Sequence, residues 1–478
     1  MSAYIGTGGA RSVSSMYVGI DGKARQVQKA YIGVNGVAKL WYQRGTPLGS
    51  LAVGSTVKIA VGGKDYDWLV VHQGIPDASI YDSSCDGTWL LMEDVYDTSI
   101  FDSDNNSYKD SSIRGYLNST FFNLIDADIR NAIKQVKIPY QNGTGSGGSL
   151  ATGSNGLSTK VFLLSGYEVG WTTSNSSYFP KDGVRLAYFL DGSGTNANNK
   201  RIAYNGSSVA TWWLRSPSAG SEINAWCVDS DGSNTTRYRG VSLGVRPCMI
   251  LPKDALVDDT GHIRTPLGLF SVGSTIKMDI NGNKRVWRIA YKGNPNPDIY
   301  DASCNGVWLV LDTIYTTRAN GSDCQYAGGI IDTYLNSTFL GRIDKDGNAA
   351  KYIKDVKIPY AKKQGDGSWE VQTKENGLPC KVFLPSIFEL SGAENLSIYK
   401  DGSKLGYYDG SAATLTLKQS GTPAPWRTRT VTSDAQSEFS VDAAGTITTC
   451  APTDVIGVVP CVIMNPDALV ENGIIVGE

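Results

Sequence analysis

The sequence predicts an α+β fold built twice in tandem behind a short array of β-hairpins. Three observations carry this. First, segments return in order along the 478 residues. "TPLGSLAVGSTVKI" from residue 46 returns as "TPLGLFSVGSTIKM" from 265, "IYDSSCDGTWLL" as "IYDASCNGVWLV", "GYLNSTFF" as "TYLNSTFL", and "PKDALV" as "NPDALV". The match runs over 46–262 and 265–478, so a domain of roughly 215 residues is duplicated. Second, within each copy the apolar pattern passes from strand-like to helical and back. Third, the first 43 residues carry a shorter repeat of another kind. The expected domains are 1–43, 44–262 and 263–478.

The N-terminal repeats are "YIGTGGARSV", "YVGIDGKARQV" and "YIGVNGVAKLWY", starting at Tyr4, Tyr17 and Tyr31. Gly8-Gly9, Asp21-Gly22 and Asn35-Gly36 stand where two-residue hairpin turns need residues that tolerate positive φ. Three small hairpins follow, with hardly any core. Isolated hairpins are marginal in water, and this segment sets Arg11, Lys23, Arg25, Lys29 and Lys39 against Asp21 alone. It is expected to need a partner surface or its own symmetry mates.

Each large copy opens with two strands around a turn, Gly62-Gly63 in "STVKIAVGGKDYDWLVV" and Asn281-Gly282 in "STIKMDINGNKRVWRIA". "TWLLM" and "VWLVL" read as buried strands. "DSSIRGYLNSTFFNLI" places Ile113, Tyr116, Leu117 and Phe121 at helical spacing after Ser or Asp caps. "DADIRNAIKQV" reads as a second helix. The rest is strands and long polar loops: "KVFLL", "TWWLRS", "AWCVDSDGSNTT" and the closing strand of "GVRPCMIL". The first and last strands of each copy are expected side by side.

Composition narrows the function. No apolar run approaches the roughly 18 residues of a membrane helix, so no membrane insertion is expected. The start, "MSAYIGTGGARSV", lacks a signal-peptide pattern, which predicts synthesis in the cytoplasm without export. A formal net charge of −2 gives no field for nucleic acid. Of eight cysteines, Cys85 and Cys248 match Cys304 and Cys461, while Cys227, Cys324, Cys380 and Cys450 have no counterpart. Buried free thiols acting as small hydrophobes are the expectation. With no CxxC pattern and only His72 and His262, no metal, cofactor or catalytic residue is expected. "DSDNNSYKD" at 102–110 starts like an EF-hand loop but has Ser107 and Ile113 where Gly and Glu belong. Carboxylate pairs for glycoside hydrolysis stay open, since spatial distances are invisible in sequence.

"TWWLRSP" at 211–217, then "AWCVDSDG", then "GVRPCMIL" resembles an uncharacterised domain family of Gram-positive gut bacteria and their phages. Its signature is a WWLRSP block, a following strand with a V-x-x-x-G turn, and a GVRP strand. The resemblance implies a C-type-lectin-like fold. That fold is shared with formylglycine-generating enzymes and with the variable proteins of diversity-generating retroelements. It also implies a phage tail or baseplate protein, whose N-termini the hairpin array resembles. The EPN, QPD and WND triplets of calcium-dependent sugar binding are absent. Of the reactive cysteine pair of formylglycine-generating enzymes, Cys227 and Cys248 are the nearest candidates, and Cys227 aligns with Ser440.

The second copy reads "APWRTRT" at 424–430. An ungapped alignment from Trp213/Trp426 to Cys248/Cys461 pairs Trp212 with Pro425, Arg215 with Thr428, Asp231 with Ala444 and Arg246 with Val459. Joint loss of two arginines and one aspartate predicts an ionic cluster. In it Asp231 pairs with Arg215, Arg246 or both, beside the core residues Trp212 and Trp213. The functional alternative is an anion-binding arginine pair. Glu168 and Glu389 persist in both copies and are expected to anchor a loop or cap a turn.

Three loops, 171–183, 191–208 and 229–240, are rich in Asn, Ser, Thr, Tyr and Gly. Rigid aromatics with small polar groups are the vocabulary of binding surfaces. Trp171, Tyr178, Asn196, Asn198, Tyr204, Asn234 and Tyr238 are the candidate ligand residues. The resulting expectation is a non-enzymatic virion protein of the tail, tail fibre or baseplate that binds a host-surface glycan or protein. Residues 1–43 would join it to other virion proteins in a homo-oligomer, a trimer by preference. The alternatives are a purely structural or decorating virion protein and a cell-wall polysaccharide hydrolase.

Overall fold

The computed structural model describes residues 45–142, 148–171, 179–343, 349–392, 399–471 and 473–475, together with six strand backbones within 4–43. Those six strands pair as three separate antiparallel hairpins: Tyr4–Gly6 with Ala10–Ser12, Tyr17–Ile20 with Lys23–Gln26, and Lys29–Val34 with Val37–Gln43. The proposed turn residues Gly8-Gly9, Asp21-Gly22 and Asn35-Gly36 lie outside the described residues.

The chain divides into two compact units, Met1–Arg264 and Thr265–Glu478. The main strands of unit 1 are β1 (Thr56–Val61), β2 (Lys64–Gln73), β3 (Thr88–Met92), β4 (Asp97–Ser99), β5 (Val161–Phe162), β6 (Trp212–Pro217), β7 (Asn224–Val228), β8 (Asn234–Tyr238), β9 (Leu243–Val245) and β10 (Cys248–Leu251). They form two sheets, ordered β5-β10-β3-β2-β1 and β4-β9-β6-β7-β8, antiparallel except for β6 with β9.

Unit 2 repeats the set as β11 (Thr275–Ile280), β12 (Asn283–Gly293), β13 (Gly306–Leu311), β14 (Thr316–Arg318), β15 (Val382–Phe383), β16 (Trp426–Val431), β17 (Glu438–Val441), β18 (Ile447–Cys450), β19 (Ile456–Val458) and β20 (Cys461–Met464). Over these strands the orders are the same, β15-β20-β13-β12-β11 and β14-β19-β16-β17-β18, and β11 pairs further with Ile474–Ile475. Short helices complete a mixed α/β architecture made mostly of strands. The ends of each unit are adjacent: Thr46 and Pro47 pair with Val257 and Leu256, and Thr265 and Pro266 pair with Val470 and Leu469.

Sequence explains the sheets directly. β1 alternates, with Val57, Ile59 and Val61 inward, as a strand with one covered face must. β3 is wholly buried and apolar after Thr88, whose hydroxyl donates to Gln73, because it lies between β2 and β10 with both faces covered. The turns between β1 and β2 and between β11 and β12 have both central residues at positive φ, 62° and 79° for Gly62-Gly63 and 55° and 81° for Asn281-Gly282. That is the conformation a two-residue hairpin requires. All eight cysteines are buried and unpaired. No helix among the described residues is long and apolar enough to cross a membrane.

The helical run 112–124 is not the uninterrupted helix its spacing predicts. Ser112–Tyr116 passes into one π turn, Leu117–Phe121, and unit 2 has the same π turn at Leu335–Phe339. The "LNSTF" motif accounts for it. Asn118 donates to the carbonyls of Arg114 (3.1 Å) and Val161 (2.8 Å) and accepts from the Thr159 hydroxyl and the Lys160 and Val161 amides. It thereby ties the helix to β5, and Asn336 ties β15 in the same way. Asn118→Ala is expected to lower the stability of unit 1 by about 2 kcal/mol, since buried backbone groups lose their partner. A drop in urea midpoint would register this, with Ser119→Ala on the exposed side of the same turn as a silent control.

Candidate functional site

Arg215 leaves β6 into the interior and is 1% exposed. Its guanidinium meets the Glu168 carboxylate in a two-pronged pair, Nη1 to Oε2 at 2.5 Å and Nη2 to Oε1 at 2.7 Å. The remaining donors go to the carbonyls of Pro139, Leu163 and Asp182. Glu168 also accepts from the Tyr81 hydroxyl and the Ser165 amide. Burial opposes the charge on Arg215, but the Glu168 carboxylate overrides it and raises the arginine pKa.

Unit 2 reproduces this arrangement atom for atom. Arg429 pairs with Glu389 and donates to Pro359, Leu384 and Asp401 carbonyls, while Tyr300 and the Ser386 amide complete the carboxylate. Glu389 also closes a capping box with Ser386, so the expected capping role is one part of what it does. Every member of these clusters is sealed from solvent. They hold the fold together, and no ligand reaches them.

This corrects the expected cluster of Arg215, Asp231 and Arg246. Asp231 is exposed and accepts from the Ser233 amide within its own turn. Arg246 lies over the Trp212 ring at 4.9 Å and donates to the Met92 and Glu93 carbonyls. The error lay in register. Trp212 pairs with Val228 and Gly244, and Trp426 pairs with Val441 and Gly457, so Trp426 matches Trp212 rather than Trp213. The connection between Pro217 and its partner Ala225 is one residue longer than that between Val431 and Glu438. Arg215 is therefore kept as Arg429. Arg427 takes the place of Trp213 and pairs with Glu438, which stands where unit 1 has Ala225. Trp212, Trp213 and Trp426 are all fully buried.

Outside this core, unit 1 carries an open cleft of about 610 Å³. Glu93 and Asp94 enter it from the end of β3, and Arg246 from the link between β9 and β10. The rest of the wall is Leu69, Tyr188, Asn199, Lys200, Ile202 and Tyr204. Backbone bonds fix that wall: the Tyr188 amide donates to Val71, the Tyr204 amide to Asp94 Oδ1, and the Val95 amide to the Tyr204 carbonyl. Lys200 Nζ stands 4.2 Å above the Tyr188 ring. Burial, with the Asp67 and Asp94 charges, raises the Glu93 pKa. Two cations and two carboxylates thus share one polar cleft.

Of the candidate ligand residues, Tyr204 lines the cleft and is 44% exposed. Asn198 sits beside it on the helix Thr195–Asn199, which packs against the 229–233 turn at Gly232. Asn196 is exposed on the same helix. Asn234 and the exposed Tyr238 belong to the edge strand β8. Trp171 is not a surface residue: it is buried beneath the Arg201 guanidinium, 4.8 Å from its ring. Tyr178 lies outside the described residues. Sequence reasoning missed Glu93, Asp94, Tyr188 and Lys200. A signal that could have found them is the Arg246/Val459 difference, which survives the corrected register. Among the described residues no group of His, Cys, Asp and Glu is placed to hold a metal ion. Asp102, in the EF-hand-like stretch, spends its carboxylate on the amides of Asp104, Asn105 and Ser112.

No curated protein and no solved structure matches the chain. Residues 86–253 and 305–466 each match a family described as a domain of unknown function, DUF6273. The two matched stretches contain both buried arginine–glutamate cores and cover more than half of the sequence, so the chain belongs to the DUF6273 family, in two tandem copies.

Proposed function

We propose that this chain is a phage tail or baseplate component that binds the host cell surface through the loop side of unit 1. In this reading the two units are C-type-lectin-like domains and residues 1–43 join the chain to other virion proteins, as a homo-oligomer. The polar cleft beside Tyr204 supports it most. It is open and lined in part by the 188–204 segment, in a unit whose stability rests on a separate, sealed interior. The hairpins support the attachment role, since among the described residues their strands pair only within each hairpin and an isolated hairpin is marginal in water.

Two changes to the virion test the assignment. Deleting residues 1–43 should leave folded tandem units that no longer join the particle. Replacing Asn196, Asn198, Tyr204, Asn234 and Tyr238 together should leave assembly intact and lower adsorption to host cells at least tenfold. Normal adsorption by the replaced particle would favour a purely structural role.

A further inference from the structure

We infer that the unit 1 cleft is a binding site for an uncharged saccharide, with Arg246 Nη1 as a donor held ready for a sugar oxygen. This rests on the reading of unit 1 as a recognition module and names what it would recognise.

One donor beside the cleft is unfilled. Arg246 is 2% exposed, its Nε and Nη2 are taken by the Met92 and Glu93 carbonyls, and its face is covered by Trp212. Nη1 is buried and has no acceptor among the described protein groups. A buried donor without an acceptor costs free energy that folding does not recover. Arg246 is among the residues that line the cleft, so a small turn of its guanidinium would present Nη1 to a ligand oxygen.

Unit 2 is an internal control. Arg246 is replaced by Val459, and Leu69 by Arg288, as the pairs Thr56–Leu69 and Thr275–Arg288 establish. Arg288 is fully engaged: Nε and Nη2 hold both oxygens of Asp312 at 2.8 Å, Nη1 donates to the Gly273 carbonyl, and the group lies under Tyr407. Unit 2 thus spends its arginine within the fold, whereas unit 1 leaves one nitrogen over. Other cleft positions change as well. Tyr204 gives way to Lys418, since the Val95 and Ile314 amides bond to these residues in turn.

The cleft's chemistry selects the ligand class. A polyanion would face Glu93 and Asp94, and a polycation would face Lys200 and Arg246. A free carboxylate favours the two parallel donors of a guanidinium, and only one is free. Asp94 has likewise given Oδ1 to the Tyr204 amide. Single donors and acceptors, with the tyrosine rings of Tyr188 and Tyr204 beside them, suit a ring that presents hydroxyls on its edges and C–H groups on its faces. A volume of about 610 Å³ lies within the range of small-ligand sites, roughly 300–1,000 Å³.

The test is calorimetric titration of the full chain with neutral oligosaccharides of glucose, galactose and N-acetylglucosamine, beside uronic-acid oligomers and a glycerol-phosphate polymer. At least one neutral oligosaccharide should bind. Its Kd should weaken tenfold or more in Tyr204→Ala, an exposed position, and in Leu69→Arg, which imports the unit 2 arginine. Melting curves check that both variants fold, and if Leu69→Arg does not, Tyr204→Ala decides alone. Binding of only the charged probes, binding of none, or undiminished binding by the folded variants overturns the inference. Adsorption separates the two readings. If Tyr204→Ala loses saccharide binding but its particles adsorb normally, the site stands and host recognition through it fails. If adsorption falls with the loop replacements while no neutral saccharide binds, host recognition stands and the saccharide site fails.

Discussion

Glu168→Ala is expected to destabilise unit 1 by roughly 3–5 kcal/mol, the cost of stranding a buried charge without its partner. Arg215 has no route to water, being sealed with Glu168 in the interior. Loss of the carboxylate also leaves the Tyr81 hydroxyl and the Ser165 amide without acceptors. The expected result is an early urea transition for unit 1, with unit 2 unfolding where it did before. Removing both charges, as Glu168→Leu with Arg215→Met, should cost less than the two single changes summed, because neither partner is then left alone. Asp231→Ala, on its exposed turn, should leave the curve unmoved. An additive double variant would show that the pair is not a single energetic unit.

The second large effect is on the pH dependence of stability. Asp182 is completely buried, with Ser216 donating to both of its oxygens. Burial pushes its carboxyl up to about 7, although the Arg215 charge pulls the other way. Asp401, bonded to Ser386 and Thr430, is pushed by burial to about 6. In the unfolded chain the ordinary aspartate value is 3.8. Between these values the folded state holds the proton and the unfolded state does not. The contribution is therefore fully present below 3.8 and lost as pH rises through about 7. Unit 1 should accordingly be more stable near pH 5 than near pH 8, and Asp182→Asn should flatten that slope. A slope of the opposite sign, indifferent to Asp182→Asn, would mean that this carboxyl is ionised in the fold.

Much of this was readable in the chain, for identifiable reasons. The duplication and the hairpins were legible because turn chemistry and strand periodicity are local. Gly62-Gly63 and Asn281-Gly282 announce the same turn in different letters. The thiols were legible because Cys85 and Cys304 precede matching apolar strands. The ionic core was not, because Arg215 and Glu168 lie 47 positions apart and meet only through the sheets. Its repetition was hidden by one residue of length between β6 and β7, which slid Arg429 out of register with Arg215. The π turn was hidden as well: Asn118 looked like a polar residue on a helix, while its partners come from residues 159–161. The cleft is a property of side chains from four separate segments, and no local pattern encodes such a meeting.

The single guanidinium at the centre of each unit has an evolutionary consequence. Arg215 grips the chain at Leu163 and again at Asp182, and Arg429 does so at Leu384 and Asp401. The segment between the grips is two residues shorter in the second unit, yet both ends are held in the same way. Because the knot is interior and self-contained, a change of length in the enclosed segment leaves its contacts in place as long as Glu168 or Glu389 and the neighbouring serine keep their positions. The fold is thus mutationally robust where its loops vary: one copy can explore new surface chemistry while its twin keeps another, and neither risks the interior on which both depend.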